Sequence, residues 1–97
     1  MRKLSKEQLD ELIEAKEMIT LILKHIGKAT PVGVPSYHIQ FLEVTEQTYE
    51  KKDLRGMRFI LNDVKEWSKG LNRAQLEGLN EEFKQRFGRE LDYGSKK

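Results

Sequence analysis

The amino-acid sequence predicts an all-α fold, in the form of a compact four-helix bundle-like single domain. Apolar residues recur every three or four positions in four separate segments, and helix-capping residues stand at the expected ends. No segment alternates apolar and polar residues as a half-buried strand does. Because the connections are short, the helices suit antiparallel packing. We expect the domain to span residues 1–93, with a flexible tail at 94–97.

The first helix is predicted at about residues 6–26. Ser5 begins it, because its hydroxyl can accept from the amide of Gln8 while the Gln8 side chain bonds back. Most of the apolar positions are three or four residues apart; they include Leu9, Leu12, Ile19, Leu23 and Ile26. Gly27 follows them, where a glycine in the left-handed conformation ends many helices.

A proline loop over residues 28–35 separates the first helix from the second. Pro31 and Pro35 each push the residue before them out of the helical region. Ser36 can then cap a second helix at about residues 37–51. The β-branched residues of this segment lower its helix propensity. Its stripe consists of His38, Phe41, Leu42, Thr45 and Tyr49.

The third helix is predicted at about residues 54–69, with Asp53 as its cap and Gly70 after its end. Its stripe consists of Leu54, Met57, Ile60, Leu61, Val64 and Trp67. Phe59 stands off that stripe, and an apolar side chain that the core cannot use marks a possible contact with a partner.

The fourth helix is predicted at about residues 73–87. Asn72 and Gln75 form a capping pair at its start, and Gly88 follows its end. Its stripe consists of Leu76, Leu79, Phe83 and Phe87.

Composition excludes several classes of protein. The 97 residues contain no cysteine, which rules out disulfides, cysteine nucleophiles and thiolate metal sites. No apolar run approaches the roughly 18 residues of a membrane span, and the first residues lack a signal-peptide core. We therefore expect a cytoplasmic protein that does not bind membranes.

Catalytic and metal-binding patterns are weak. The chain has no glycine-rich phosphate loop, and its only histidines are His25 and His38. Glu43 or Glu46 could complete a two-histidine metal site, but the spacing lacks the paired histidines that make such a site specific. The carboxylate pairs along the helices suit solvated faces. The sequence predicts that this protein is not an enzyme and that it holds no metal or cofactor.

The charge distribution supplies the main functional hypothesis. The net charge is only +2, yet residues 51–73 carry seven lysines and arginines against three acidic residues, and the preceding helix is acidic. A basic face can steer an acidic protein partner. The predicted contact residues are Lys51, Lys52, Arg55, Arg58, Lys65, Trp67, Lys69 and Arg73. The proline loop is a second candidate surface.

Two alternatives accompany this hypothesis of a small non-catalytic adaptor or regulatory protein. The cations can instead be a solvated face that pairs with the acidic second helix. The third and fourth helices can form a helix-turn-helix-like nucleic-acid-binding module, with Arg73, Gln75 and Arg86 at the contact. Finally, the first helix is apolar almost all round in its second half, which places it either at the centre of the bundle or in a homodimer contact.

Overall fold

The structure, a computed structural model, describes residues 3–31, 33 and 37–91. Over these residues the chain forms four α-helices and no strand, which confirms the predicted all-α, four-helix bundle-like fold. The helices are α1 (Lys6–Ala29), α2 (Tyr37–Glu50), α3 (Leu54–Ser68) and α4 (Arg73–Phe87). The predicted Ser36 cap and the predicted tail at 94–97 lie outside the described residues.

Local hydrogen bonds fix the starts of α1 and α4, and the end of α4, where the sequence places them. The Ser5 hydroxyl accepts from the amide of Gln8 at 3.1 Å, and the Gln8 side chain accepts from the Ser5 amide at 2.9 Å. Asn72 and Gln75 repeat this arrangement at α4, at 2.8 and 3.0 Å. Gly88 ends α4 in the left-handed conformation, with φ of 72°.

Gly27 does not end α1, and this prediction is wrong. The helix continues to Ala29, so residues 28 and 29 are helical and do not belong to the loop. The glycine is needed because the ring of His38 on α2 packs against it. A Cβ atom at position 27 would lie only 2.8 Å from Cδ2 and Nε2 of that ring. Gly27 therefore sets how closely α1 and α2 approach.

α1 is the central helix of the bundle, because α2, α3 and α4 all pack against it. Its buried residues lie on several sides of the helix: Leu12, Ala15, Met18, Ile19, Leu21, Ile22, Leu23 and Ile26. Its apolar second half is thus used within the chain. A dimer through α1 stays a prediction, and the large apolar side chain that this helix leaves exposed is Ile13.

The other helices complete one core around α1. Their buried apolar side chains, with one residue after α4, are Leu54, Met57, Ile60, Val64, Leu79, Phe83 and Leu91. α2 contributes less, and its buried Thr45 satisfies its hydroxyl by donating to the carbonyl of Phe41 at 2.7 Å. The Phe41 ring also packs on Trp67, with ring centroids 5.4 Å apart. Trp67 is half-buried against the core, as its place in the apolar stripe predicts, and its contact with a partner stays a prediction.

None of the described helices combines the length and the apolar composition needed to cross a membrane.

Candidate functional site

An apolar groove of about 570 Å³ lies between α2 and α3. Its apolar lining consists of Tyr37, Phe41, Val44, Phe59 and Ile60. Three of these side chains are unusually exposed for their type: Phe59 by 67%, Tyr37 by 54% and Val44 by 48%. Contiguous exposed apolar area is typical of a surface that binds another molecule.

Gly56 shapes one end of this groove. A Cβ atom there would lie 2.9 Å from the Thr48 methyl group and 2.6 Å from Oδ2 of Asp53. Asp53 caps α3 by accepting from the Gly56 amide at 3.0 Å, so the glycine lets the cap and the neighbouring helix approach together. Glycine near the start of a helix lowers its stability relative to alanine, and the lack of room for a Cβ atom explains why glycine stands here.

The turn between α2 and α3 holds two exposed lysines in a defined backbone conformation. The Asp53 amide donates to the Thr48 carbonyl at 3.2 Å, and the Lys52 amide donates to the Tyr49 carbonyl at 2.9 Å. These two bonds form a Schellman motif, which normally places glycine where Lys52 stands with φ of 55°. We call Lys51 and Lys52 the basic turn.

Within the described part of the chain, the two lysines of the basic turn form no ion pair. Arg55, one helical turn before Phe59, also has none. These three predicted contact residues are exposed and lie at the same end of the α2–α3 face. Their charge is free to act on a partner.

Arg58 belongs to a different face. It donates from Nε and Nη2 to the two carboxylate oxygens of Glu11 on α1, at 2.7 and 2.9 Å. This bidentate hydrogen bond lowers the pKa of Glu11 below its ordinary value. Lys65 is half-buried and lines a cavity beside the same pair. The predicted surface is therefore divided between two sides of α3.

The remaining predicted cations have acidic neighbours nearby in sequence. Nζ of Lys69 lies 3.0 Å from Oε2 of Glu66, and Nε of Arg73 lies 3.8 Å from Oε2 of Glu77. Among the described residues, neither these cations nor Arg58 pairs with the acidic helix α2. The expected pairing with α2 is therefore wrong for these cations, whereas a solvated basic face stays a prediction. The described ion pair of α2 joins Glu46 to Lys16 on α1, at 3.5 Å.

His25 and His38 have separate surroundings. Nε2 of His25 lies 2.8 Å from Oε1 of Glu82 on α4, and Lys24 donates to the other oxygen of Glu82 at 3.2 Å. His38 packs on Gly27 and leaves a buried Nδ1 without a hydrogen-bond partner. Over the described residues, no three acidic or histidine side chains are placed to share a metal ion.

The contacts of Glu82 give acid-dependent stability. Hydrogen bonds from His25 and then from Lys24 lower the pKa of Glu82 below its ordinary value. A lowered pKa in the folded state contributes stability above the unfolded pKa, and this stability is lost as the pH falls through the folded pKa. We expect Glu82→Gln to lower the free energy of unfolding by roughly 0.5–1 kcal/mol at about pH 7.

The difference in the free energy of unfolding between the parent protein and this variant should shrink as the pH falls below about 4.3, the ordinary pKa of a glutamate. Urea unfolding across the acidic range measures this difference. Glu81→Gln is the matched control, because it removes the adjacent carboxylate, which lies on the exposed side of α4. A difference for Glu82→Gln that stays constant with pH would contradict the assignment.

Comparison with protein-family models, with curated proteins and with solved structures finds no match for this chain. Function is therefore inferred from the surface of the chain itself.

Proposed function

We propose that this protein acts by binding another protein, as a small adaptor or regulator, and not by catalysis. The observation that carries the proposal is the basic turn: Lys51 and Lys52 are exposed, have no ion pair within the described residues, and adjoin the end of the apolar groove at Thr48 and Gly56. The partner we propose presents a segment rich in aspartate and glutamate.

The conformation of the turn supports this assignment. Two backbone hydrogen bonds hold Lys51 and Lys52 in place, so fewer backbone degrees of freedom are lost when a partner binds. Lysine in the left-handed region costs about 1 kcal/mol that glycine would avoid. A strained backbone that carries a charged side chain is a reason to look for binding at that position.

The nucleic-acid alternative has less support from the surroundings of its residues. The Gln75 side chain is occupied by the capping pair of α4, and the Arg86 guanidinium lies over the Phe87 ring at 5.9 Å. α3 and α4 each pack mainly on α1 and touch one another little. A helix-turn-helix instead requires its second helix to be presented by the first.

Charge reversal of the basic turn tests the proposal. We expect the double variant Lys51→Glu, Lys52→Glu to lose the protein captured from a nuclease-treated native lysate, because carboxylates then face the acidic segment. The matched control is Lys6→Glu, Lys84→Glu, which changes the net charge equally at exposed lysines on α1 and α4. This control should capture the same protein as the parent chain.

Equal capture by both double variants would overturn the proposal. A parallel titration of mixed-sequence duplex DNA and RNA, followed by the anisotropy of a labelled strand, addresses the alternative. We expect no binding at low salt. Micromolar binding that weakens about tenfold or more with added salt would instead support nucleic-acid recognition, because released counterions produce that dependence.

A further inference from the structure

The exposed apolar side chains of this protein are not scattered. Of the five large hydrophobic residues that are exposed in the described part of the chain, three line the α2–α3 groove. Phe59, the most exposed, stands at the outer edge of that groove on α3. Because Phe59 lines this groove and is still 67% exposed, most of its ring is free to contact a second molecule.

The charges around Phe59 are self-complementary. Arg55 and Asp63 lie four residues before and four residues after it, so the three side chains form one i, i+4 ridge along α3. The opposite charges therefore stand about 6 Å on either side of Phe59. Neither has an ion pair within the described residues.

We propose that the α2–α3 groove binds a second copy of this chain in a two-fold dimer, with the two α3 helices antiparallel and Phe59 of each in the groove of the other. A two-fold axis at Phe59 brings Arg55 of one copy to Asp63 of the other, and forms the same pair a second time. The inference rests on the proposed function, because it divides the same surface: the groove receives the second copy, and the basic turn remains for the acidic partner.

A second copy fits this groove better than the acidic partner does. The charged residues that flank Phe59 are one of each sign, so an acidic segment lying along the groove would meet the carboxylate of Asp63. Like charges brought together at an interface oppose binding. A chain of 97 residues also gains stability from association, because a core of this size is small.

Sedimentation equilibrium of the purified chain tests the dimer. We expect a concentration-dependent equilibrium between monomer and dimer in the parent protein. Arg55→Asp and Asp63→Arg should each weaken it by about tenfold or more, since each places like charges at both contacts. Phe59→Ala should weaken it similarly by removing the side chain that fills the groove.

Mixing the two charge variants is the decisive step. Each contact then joins opposite charges, so an equimolar mixture of Arg55→Asp and Asp63→Arg should form a heterodimer as tight as the parent dimer. The matched controls are Lys84→Asp and Asp10→Arg, which make the same changes in charge on α4 and α1 and should leave the equilibrium unchanged. Far-ultraviolet circular dichroism verifies that every variant is folded.

Three outcomes would overturn the dimer: a parent chain that remains monomeric up to about 1 mM, a mixture that fails to associate, or controls that weaken association equally. The double variant Lys51→Glu, Lys52→Glu separates this inference from the proposed function. It should abolish capture of the acidic partner and still dimerise. A monomeric parent chain that still captures its partner through the basic turn refutes the dimer alone.

Discussion

Replacing Phe83 by alanine is expected to lower the free energy of unfolding by about 3–5 kcal/mol. Phe83 on α4 is only 1% exposed and packs in the core beside Phe87, with ring centroids 4.6 Å apart. Its removal loses the transfer free energy of an aromatic ring and leaves a cavity. The Tm should fall by roughly 15 °C or more, measured by circular dichroism at low protein concentration.

Phe59→Ala is the matched control for this prediction, because it removes the same side chain from a position that is 67% exposed. At a concentration where the chain is monomeric, it should change the free energy of unfolding by no more than about 0.5 kcal/mol. Similar losses for the two variants would mean that Phe59 is buried in the isolated chain, and the groove would then not be free to bind.

Replacing Gly27 by alanine is expected to destabilise the protein, although alanine is the better helix former. The helix propensity of alanine favours the change by about 1 kcal/mol. The new Cβ atom would lie 2.8 Å from the His38 ring, and such overpacking costs typically about 1–3 kcal/mol. We expect a net loss of up to about 2 kcal/mol in the free energy of unfolding, measured by urea denaturation.

Gly78→Ala is the matched control and should raise the free energy of unfolding instead of lowering it. Gly78 lies in the middle of α4, and a Cβ atom there would meet nothing within 4 Å. Only the higher helix propensity of alanine then acts, so this variant should gain about 0.5–1 kcal/mol in the free energy of unfolding. If Gly27→Ala is stabilising to the same extent, α1 and α2 do not approach as closely as the His38 contact requires.

The fold was predictable because its determinants are local. The capping pairs at α1 and α4 each join residues three positions apart, and both are present as the sequence predicts. The apolar stripes have the spacing of a helix, and the buried residues follow them. Each of these patterns lies within a single helix and its cap, so it can be found without knowledge of the tertiary packing.

The predictions are wrong where a residue contacts another residue that is distant in sequence. Gly27 has the sequence context of a helix end, yet it lies inside α1, where the His38 ring of the next helix packs against it. The sequence places Arg58 in the basic block, yet its partner Glu11 lies 47 residues away in sequence. Nothing in the spacing along α3 distinguishes this arginine from Arg55, which has no such partner among the described residues.

The candidate site was predictable in part. Phe59 stands off the apolar stripe of α3, which is the sequence signal that it is not used by the core. The groove that it lines is formed by residues of both α2 and α3, so its existence depends on the angle and distance between these two helices. The sequence also gives no sign that the turn after α2 holds Lys52 in the left-handed conformation.

The central position of α1 has a consequence for synthesis of the protein on the ribosome. Three later helices cover this helix, and Phe83, which fills the core from α4, is added 54 residues after Ala29, the last residue of α1. At roughly 5–20 residues per second, the apolar sides of α1 stay uncovered for several seconds in the nascent chain. Aggregation and chaperone binding are therefore most to be expected during translation, before α4 has emerged.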